Sequence, residues 1–495
     1  MTQTPVVRIA QGAVSGMWRG ASAAFLGIPF AEAPVGELRW AAPRPASGWS
    51  GVWDATQFGA TPQRRGFGAV TAIPEPSYPG DATLNLNVFT PLPLADAALP
   101  VLVWIHGGGF KAGSPNSPWY DGRAFNRDGV VTVSISYRLG FDGFAVIDGC
   151  PSNRGLLDMI CALEWVRDNI AAFGGDPGNV TIAGQSAGGG AVLALMASPL
   201  AEGLFHGAIA HSSAAELGSL HDAREVTAEV AALAGVEPTA SGFAALREGT
   251  LLDLAQALED AWAAVPPAGP QALVEAFVSG GFLRLAFRPV QDGVVLPASI
   301  PEALASGRGA VPLLIGTTWH EFDLVGAMFA PLFAGADVDA VLRASVLGEL
   351  ADDLAVEMAG LPPAVVAGHV ATLGAFRVPT VRVAEAHSAP AWVYDYRYRG
   401  VQPDGTRGLA GHCSELPFVF DCLDVEPRYV AAAVGVRPPA ELAERMHGDW
   451  VRFCSTHDVG WTPWAPGGEA MVYDEASAAA PGYVLEQKLA ARLAR

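Results

Sequence analysis

The chain has 495 residues, of which 51% are hydrophobic and 16% are charged, and its formal net charge is −20 at pH 7. This composition excludes an intrinsically disordered chain, which would be poor in hydrophobic residues and rich in charge. The negative charge argues against nucleic acids and anionic membranes as partners, because both select basic surfaces. We also expect no membrane span, since no uninterrupted apolar stretch of about twenty residues is present.

The cysteines and the first residues bear on the compartment. Residues 1–12 contain Arg8 and lack the apolar run of a secretory signal. The five cysteines form no CxxC pair and leave one unpaired in any disulfide scheme, which is typical of reduced thiols in a cytoplasmic protein. No group of histidines and cysteines has the spacing of a zinc site, so no metal is expected.

In chain order, short apolar runs alternate with helical patterns. Residues 101–105 and 130–137 are predicted as buried strands, and residues 155–173 have apolar side chains at helical spacing up to a GGDPG turn. A strand at 180–183 and a small-residue helix at 188–197 follow. Further strands are predicted at 207–210, 311–315 and 391–396. This alternation predicts an α/β fold with a central, mostly parallel sheet flanked by helices on both faces.

Two stretches interrupt this alternation. Residues 224–264 and 324–373 are rich in Ala and Leu, are predicted to be helical, and contain no strand pattern. No internal repeat or linker separates them from the rest. We therefore interpret the chain as one domain, residues 1–495, with two helical cap insertions.

A candidate nucleophile lies between the strand at 180–183 and the helix at 188–197. The sequence Gly184-Gln185-Ser186-Ala187-Gly188 matches the G-x-S-x-G elbow of α/β-hydrolases, in which a strained turn raises the serine above the sheet. Such a match can be a chance Gly/Ser-rich turn, but here a strand precedes it and a helix follows it. The N-terminus of that helix would favour negative charge developing at the serine.

A glycine run upstream supplies candidate oxyanion donors. His106 is followed by Gly107, Gly108 and Gly109 at the end of the strand at 101–105. Glycines expose backbone N–H groups, and the sequence that follows has no nucleotide-binding pattern. Together with the elbow, this predicts an oxyanion hole formed by the amides of Gly108, Gly109 and Ala187.

At this point the sequence resembles the type-B carboxylesterase and cholinesterase family, in particular its para-nitrobenzyl esterase-like members. Residues 153–189 match that family's signature almost end to end, and further matches run along most of the chain. These further segments are GIPFAEAPVGELRW (27–40), LNLNVFTP (84–91), WIHGGGF (104–110), SYRLGFDGF (136–144), PVQDGVVLP (289–297), IGTTWHEF (315–322) and HCSELPFVF (412–420).

The resemblance implies the remaining catalytic residues. Glu321 occupies the position of the family's triad acid and His412 that of its general base, in the chain order serine, acid, histidine. Glu415 and Ser212 match positions that support the histidine from behind. Gln185 departs from the family, where many members have Glu before the nucleophile. Losing that carboxylate weakens the attraction for cations, so choline esters are not expected as substrates.

Aromatic residues near these motifs predict an apolar substrate pocket. They are Phe110, Trp319, Phe322 and Phe418. An aromatic wall would suit aryl or short alkyl esters, although any of these rings could equally be part of the core.

The expected function is therefore hydrolysis of small, uncharged carboxylic esters through an acyl-enzyme on Ser186, without a cofactor. Aryl-carbamate or amide hydrolysis by the same triad is an alternative, because the family includes aryl-carbamate hydrolases. A catalytically silent binding module is a further alternative, since fold does not fix function. We expect a cytoplasmic protein and assume a monomer by default.

Overall fold

The computed structural model describes residues 4–66, 72–213, 215–265, 267–279 and 284–493. Its strands are Val6–Ile9 (β1), Gly12–Ser15 (β2), Met17–Arg19 (β3), Ser22–Pro29 (β4), Val52–Asp54 (β5), Asn85–Thr90 (β6), Leu99–Ile105 (β7), Val131–Ile135 (β8), Gly175–Gln185 (β9), Gly207–His211 (β10), Gly218–Ser219 (β11), Val290–Gln291 (β12), Leu313–Thr318 (β13), Ala391–Tyr396 (β14), Glu469–Tyr473 (β15) and Ala478–Pro481 (β16).

The α-helices are distributed along the whole described chain. They are Arg123–Arg127 (α1), Gly140–Phe144 (α2), Arg154–Asn169 (α3), Ala187–Ala197 (α4), Leu220–Ala234 (α5), Ala240–Ala244 (α6), Glu248–Ala263 (α7), Pro270–Val278 (α8), Ile300–Ala305 (α9), Asp323–Met328 (α10), Val338–Ala344 (α11), Leu350–Glu357 (α12), Pro363–Thr372 (α13), Val378–Ala386 (α14), Leu416–Val419 (α15), Pro427–Val434 (α16), Ala440–Thr456 (α17) and Val484–Leu493 (α18).

The central sheet confirms the predicted α/β fold. Among the described residues it has eleven strands in the order β16-β15-β14-β13-β10-β9-β7-β8-β6-β4-β3. The strands from β15 to β8 are parallel to their neighbours, and the strands at both edges are antiparallel. Strands β8, β10, β13 and β14 are buried at every residue, as parallel strands covered on both faces must be.

Side chains of the sheet alternate between two apolar cores. In β7, Val101, Val103 and Ile105 belong to one cluster with α3, α4 and α9. Leu102 and Trp104 point to the opposite face, where α15 and α17 pack. The sheet therefore has a hydrophobic layer on each side, and only its strand ends are left to carry polar chemistry.

The two predicted helical stretches differ in how they are packed. Residues of α5, α6 and α7, such as Val230, Phe243 and Leu251, belong to the main core. Helices α11, α12 and α13 instead share a separate apolar cluster, to which α8 contributes Phe277 and α18 contributes Leu489. Both α8 and α18 lie outside the stretch predicted from the sequence, because the partners of a helical face are not readable from its own pattern.

Residues 363–386 form a nearly continuous helix, in which Leu373–Arg377 is a π-helical turn between α13 and α14. By length and composition alone, Pro363–Ala386 could cross a membrane, but 83% of its most apolar window is buried inside the protein. We assign it as a core helix, because buried core helices have the same apolar composition. All five cysteines are free thiols.

Candidate active site

The predicted site residues meet at one edge of the sheet. Ser186 directly follows β9, the three glycines follow β7, and Glu321 comes three residues after β13. His412 lies in the segment between β14 and α15. Since these four strands are parallel, their carboxyl ends lie side by side, which is where α/β sheets bind ligands.

Ser186 occupies a strained turn between β9 and α4. Its φ of 58° and ψ of −123° are unusual for a residue other than glycine. Its N–H donates to the carbonyl of His211 at 2.9 Å, and α4 begins at the next residue. A Cβ at Gly188 would lie 2.1 Å from the Ile105 carbonyl oxygen, so the elbow tolerates no side chain there. The structure has the strand, turn and helix that the motif requires.

The glycine loop after β7 lies against the elbow. A Cβ at Gly107 would be only 3.2 Å from Cβ of Ser186. Gly108 and Gly109 have φ values of 117° and 58°, which glycine adopts most readily. In the described part of the chain, the amides of Gly108, Gly109 and Ala187 have no hydrogen-bond acceptor. These N–H groups are therefore available to an oxyanion, and their role in an oxyanion hole stays a prediction.

His106 has a structural role beneath this loop. Its Nδ1 lies 2.8 Å from the Gly107 carbonyl oxygen, and its ring stacks on Tyr137. Complete burial lowers the pKa of His106 to about 3. The ring is therefore neutral at physiological pH and supports the oxyanion loop rather than carrying a proton.

The acid and the base form a close pair. Nδ1 of His412 lies 2.5 Å from Oε2 of Glu321, and the other carboxylate oxygen accepts the Thr318 N–H at 2.7 Å. The Glu321 side chain is fully buried, whereas that of His412 is 17% exposed. Glu321 therefore fixes the Nδ1-protonated tautomer, in which Nε2 is the ring's hydrogen-bond acceptor, as general-base chemistry requires.

The contact between base and nucleophile differs from the expected one. His412 Nε2 lies 3.1 Å from Nε2 of Gln185, the residue before the nucleophile. Among the described residues, the Ser186 hydroxyl makes no hydrogen bond. The structure thus brings the three residues to one site but joins only the acid and the base directly. Catalytic hydrogen bonds are often long or absent before substrate binds.

Comparison with known proteins agrees with this architecture. The model of the carboxylesterase family matches residues 3–347. The chain belongs to the carboxylesterase family. It is 34% identical over 473 residues to the para-nitrobenzyl esterase of Bacillus subtilis, covering 92% of each chain. It is also 34% identical over 479 residues to the phenmedipham hydrolase of Pseudarthrobacter oxydans, covering 92% of this chain and 91% of that one.

Solved structures of the carboxylesterase family superpose along the whole chain. A para-nitrobenzyl esterase structure matches with a TM-score of 0.81 and 30% identity, covering 99% of both chains. A carboxylesterase of Geobacillus stearothermophilus matches with a TM-score of 0.78 and 30% identity, covering 98% of this chain and 99% of that one. The fold is therefore that of the α/β-hydrolases.

In this carboxylesterase-family chain, two aromatic rings flank the base. Phe322 and Phe376 contact His412 with ring centroids 5.0 and 5.1 Å away, and they pack edge-on against each other at 4.9 Å. Phe322 was predicted as a pocket residue, but Phe376 was not. Its position in the π-helical turn, far from any recognised motif, gave no signal.

Of the other three predicted pocket residues, Phe110 and Phe418 are buried and Trp319 is half-buried. Phe110 is 3% exposed and packs on Phe144. Phe418 is fully buried and contacts Tyr396 and Tyr398, so it is a core residue. Trp319 is covered by two guanidinium groups.

A buried ion network supports the segment that carries Glu321. Arg377 is fully buried, lies 2.8 Å from Asp395, and also pairs with Glu486. It donates to the Thr317 hydroxyl at 3.1 Å, and its guanidinium lies 4.4 Å from the Trp319 ring. Thr317 and Trp319 flank Thr318, whose N–H binds the triad acid. The network therefore fixes the backbone from which Glu321 extends.

A cavity of about 460 Å³ opens beside the acid–base pair. Its wall includes Glu321, His412 and Cys413, together with the apolar side chains of Leu324 and Leu409. A second cavity of about 230 Å³ lies at Arg39 and Asp142, and none of the triad residues lines it. The first cavity contacts the acid–base pair, whereas Ser186 and the oxyanion glycines are not among its lining residues.

Behind the base lies a buried carboxyl group. Glu415 is fully buried, and neither of its oxygens has a hydrogen-bond partner among the described residues. Burial, aided by the charge of Glu321, raises the pKa of Glu415 to about 8. Its neighbour His211, 3.5 Å away, is neutral because burial lowers its pKa to about 3. Ser212, the other predicted supporting residue, is also fully buried and its hydroxyl has no partner among the described residues.

The raised pKa of Glu415 should make the free energy of unfolding fall as pH rises. The unfolded chain loses this proton near pH 4.3, whereas the folded protein keeps it up to about pH 8. Proton binding by the folded state therefore stabilises it at low pH, and this contribution is lost between these two values. A Glu415→Gln variant lacks the titrating group. We expect the difference between the urea midpoint of the variant and that of the wild type to increase in the variant's favour from pH 5 to pH 8. Parallel changes in the two proteins would contradict a buried, protonated Glu415.

Proposed function

We propose that the chain is a serine esterase that hydrolyses small, uncharged carboxylic esters through an acyl-enzyme on Ser186. Membership of the carboxylesterase family makes it a hydrolase that acts on ester bonds. The observation that carries the proposal is the convergence, at one edge of the sheet, of an elbow serine, a Glu321–His412 pair and three amides that have no acceptor within the described part of the chain.

The chemistry follows from these groups. His412 accepts the Ser186 proton on Nε2 as the serine oxygen attacks the ester carbonyl. Glu321 stabilises the imidazolium that forms, and the amides of Gly108, Gly109 and Ala187 hold the oxyanion. His412 then gives the proton to the leaving alcohol, and water repeats the sequence to release the acid. No step requires a cofactor.

The surroundings of the site favour uncharged substrates. Gln185 brings an amide, and no charge, next to the nucleophile, while Phe322 and Phe376 form an apolar surface against the base. A cationic alcohol group would find no carboxylate at position 185 beside the nucleophile. We propose aryl or short alkyl esters as the substrate class.

Carbamate hydrolysis is a second candidate. It is favoured by the comparison with the phenmedipham hydrolase. The chain is 34% identical to that enzyme, the same value as for the para-nitrobenzyl esterase. The same triad would serve, since only the leaving group and its fit differ. The binding-module alternative has less support, because Ser186, Glu321, His412 and the glycine loop are all present.

The domain organisation and cellular setting complete the proposal. We interpret residues 1–495 as one hydrolase domain with helical caps near 224–264 and 324–373, supported by the shared core of α5–α7 with the sheet. A cytoplasmic, monomeric protein remains our expectation. Free cysteines and the acidic composition support it, and neither nucleic acid nor a membrane is a proposed partner.

The test is a matched substrate panel. We expect turnover of para-nitrophenyl acetate, butyrate and octanoate, with a burst of nitrophenol equal to the enzyme concentration. An aryl carbamate and an anilide of similar size are measured beside them. Faster carbamate turnover would replace the ester proposal with the second candidate. A folded protein that turns over nothing and is not labelled by an organophosphonate would be a binding module.

A further inference from the structure

The side chain of Gln185 contacts Nε2 of His412, the atom through which the base would accept the proton of the nucleophile. It is 1% exposed and lies at the end of β9, with its amide nitrogen 3.1 Å from Nε2 of His412. Its amide oxygen faces the glycine loop, since a Cβ at Gly107 would lie 3.1 Å from it. Gln185 is thus packed between the base and the oxyanion loop.

The donors and acceptors around His412 can be assigned consistently. The Glu321 carboxylate accepts Nδ1–H, so Nε2 of the neutral ring is an acceptor and the Gln185 amide is the donor. The amide has a second hydrogen, and Gln185 also acts on the thiol of Cys413, the residue after the base. Burial raises the pKa of this thiol well above its usual value, while Gln185 lowers it, as a donor to sulfur would.

This arrangement has a consequence for protonation of the base. A donor at Nε2 stabilises the neutral imidazole, because the protonated ring has no lone pair left to accept from it. The titratable groups near His412 are carboxyls: Glu321 on the turn after β13 pairs with the ring, and Glu415 on its own segment keeps its proton up to about pH 8, while Glu75 acts on Cys413. The Phe322 and Phe376 rings are uncharged. Gln185 is therefore a neutral donor that opposes the Glu321 carboxylate, which favours the imidazolium.

We propose that Gln185 is a positioning residue that holds His412 as a neutral, Nδ1-protonated base until substrate arrives, and so extends activity towards lower pH. This inference rests on the proposed function. When Ser186 attacks, its proton moves to Nε2 as the bond from its oxygen to the ester carbon forms. The new Nε2–H group lies along the direction from which the Gln185 amide donated. Two donors cannot bind each other, so the Gln185 side chain turns away. The Gln185–His412 contact is thus exchanged during each acylation.

The experiment measures the acid limb of the pH profile. Rates of Ser186 labelling by an organophosphonate, and kcat/KM for para-nitrophenyl acetate, are recorded from pH 4.5 to 9 for four proteins. They are the wild type, Gln185→Glu, Gln185→Met and the exposed control Gln57→Glu. A carboxylate at 185 stabilises the imidazolium, so we expect the midpoint of the acid limb to rise by about one pH unit or more. Gln185→Met keeps the volume but removes the donor, and its midpoint should rise by about half a unit.

The outcomes separate this inference from the function on which it rests. Wild-type and control proteins should share one midpoint, since Gln57 is on the surface. If Ser186 is labelled in every protein but the Gln185 variants keep the wild-type midpoint, the positioning role is wrong and the serine esterase stands. If the wild type is neither labelled nor active, the proposed function itself fails. Should Gln185→Glu not fold, the midpoint of Gln185→Met decides alone.

Discussion

Replacing Ser186 by alanine should lower kcat for para-nitrophenyl acetate by about 10⁴-fold or more. The hydroxyl is the atom that forms the acyl-enzyme, and no other nucleophile occupies the elbow at the end of β9. The free amides of the glycine loop would still bind a carbonyl oxygen, so some rate above that of water should persist. The burst of nitrophenol and labelling by an organophosphonate should both disappear.

The control for this change is Ser455→Ala, which removes an exposed hydroxyl from α17. It should retain wild-type rates and the full burst. If Ser186→Ala kept most of its activity while remaining folded, another group would be the nucleophile, and the assignment of the elbow would have to be abandoned.

Replacing Arg377 by methionine should reduce the free energy of unfolding by about 3–5 kcal/mol, because buried Glu486 would lose its counter-charge and buried Asp395 would keep only the partly exposed Arg397. Arg377 pairs with Asp395 and Glu486 in the interior, and all three side chains are at most 2% exposed. Methionine fills similar space, so the loss should come from electrostatics rather than from a cavity. Urea unfolding followed by far-UV circular dichroism measures it.

An exposed ion pair provides the comparison. Arg167→Met breaks a pair with Asp168 in which both side chains are about half exposed, and it should cost at most about 1 kcal/mol. Equal losses in the two variants would mean that the Arg377 network contributes no more than a surface pair. Arg377 also fixes the segment that carries Glu321. We therefore expect the Arg377→Met variant to lose activity at urea concentrations below its unfolding midpoint, where it is still folded.

The sequence was most informative where local geometry constrains residue type. The elbow glycines are required because Gly184 and Gly188 approach neighbouring backbone too closely for a side chain. The strands at the centre of the sheet were recognisable because parallel strands are apolar along their whole length. The family resemblance added Glu321 and His412, which no spacing rule could connect to Ser186.

Long-range packing was the part that could not be predicted. The contact of Gln185 with His412 and the approach of Phe376 to the same ring join residues that are far apart in the chain. Phe418 follows the motif of the base closely, yet its side chain enters the core. Arg377 gave no usable signal either, since Arg382 in the same apolar helical stretch at 363–386 is exposed.

Helix α18 affects the order in which parts of the protein fold during synthesis. Its Leu485 and Leu489 complete the cluster formed by α8, α11, α12 and α13, and its Glu486 neutralises Arg377. Chains fold progressively as they leave the ribosome, so this cluster lacks one wall until residues 484–493 have emerged. We therefore expect the segment that carries Glu321 to reach its final conformation only after α18 has packed against the cluster. Nascent chains lacking it should display an open apolar surface that chaperones bind.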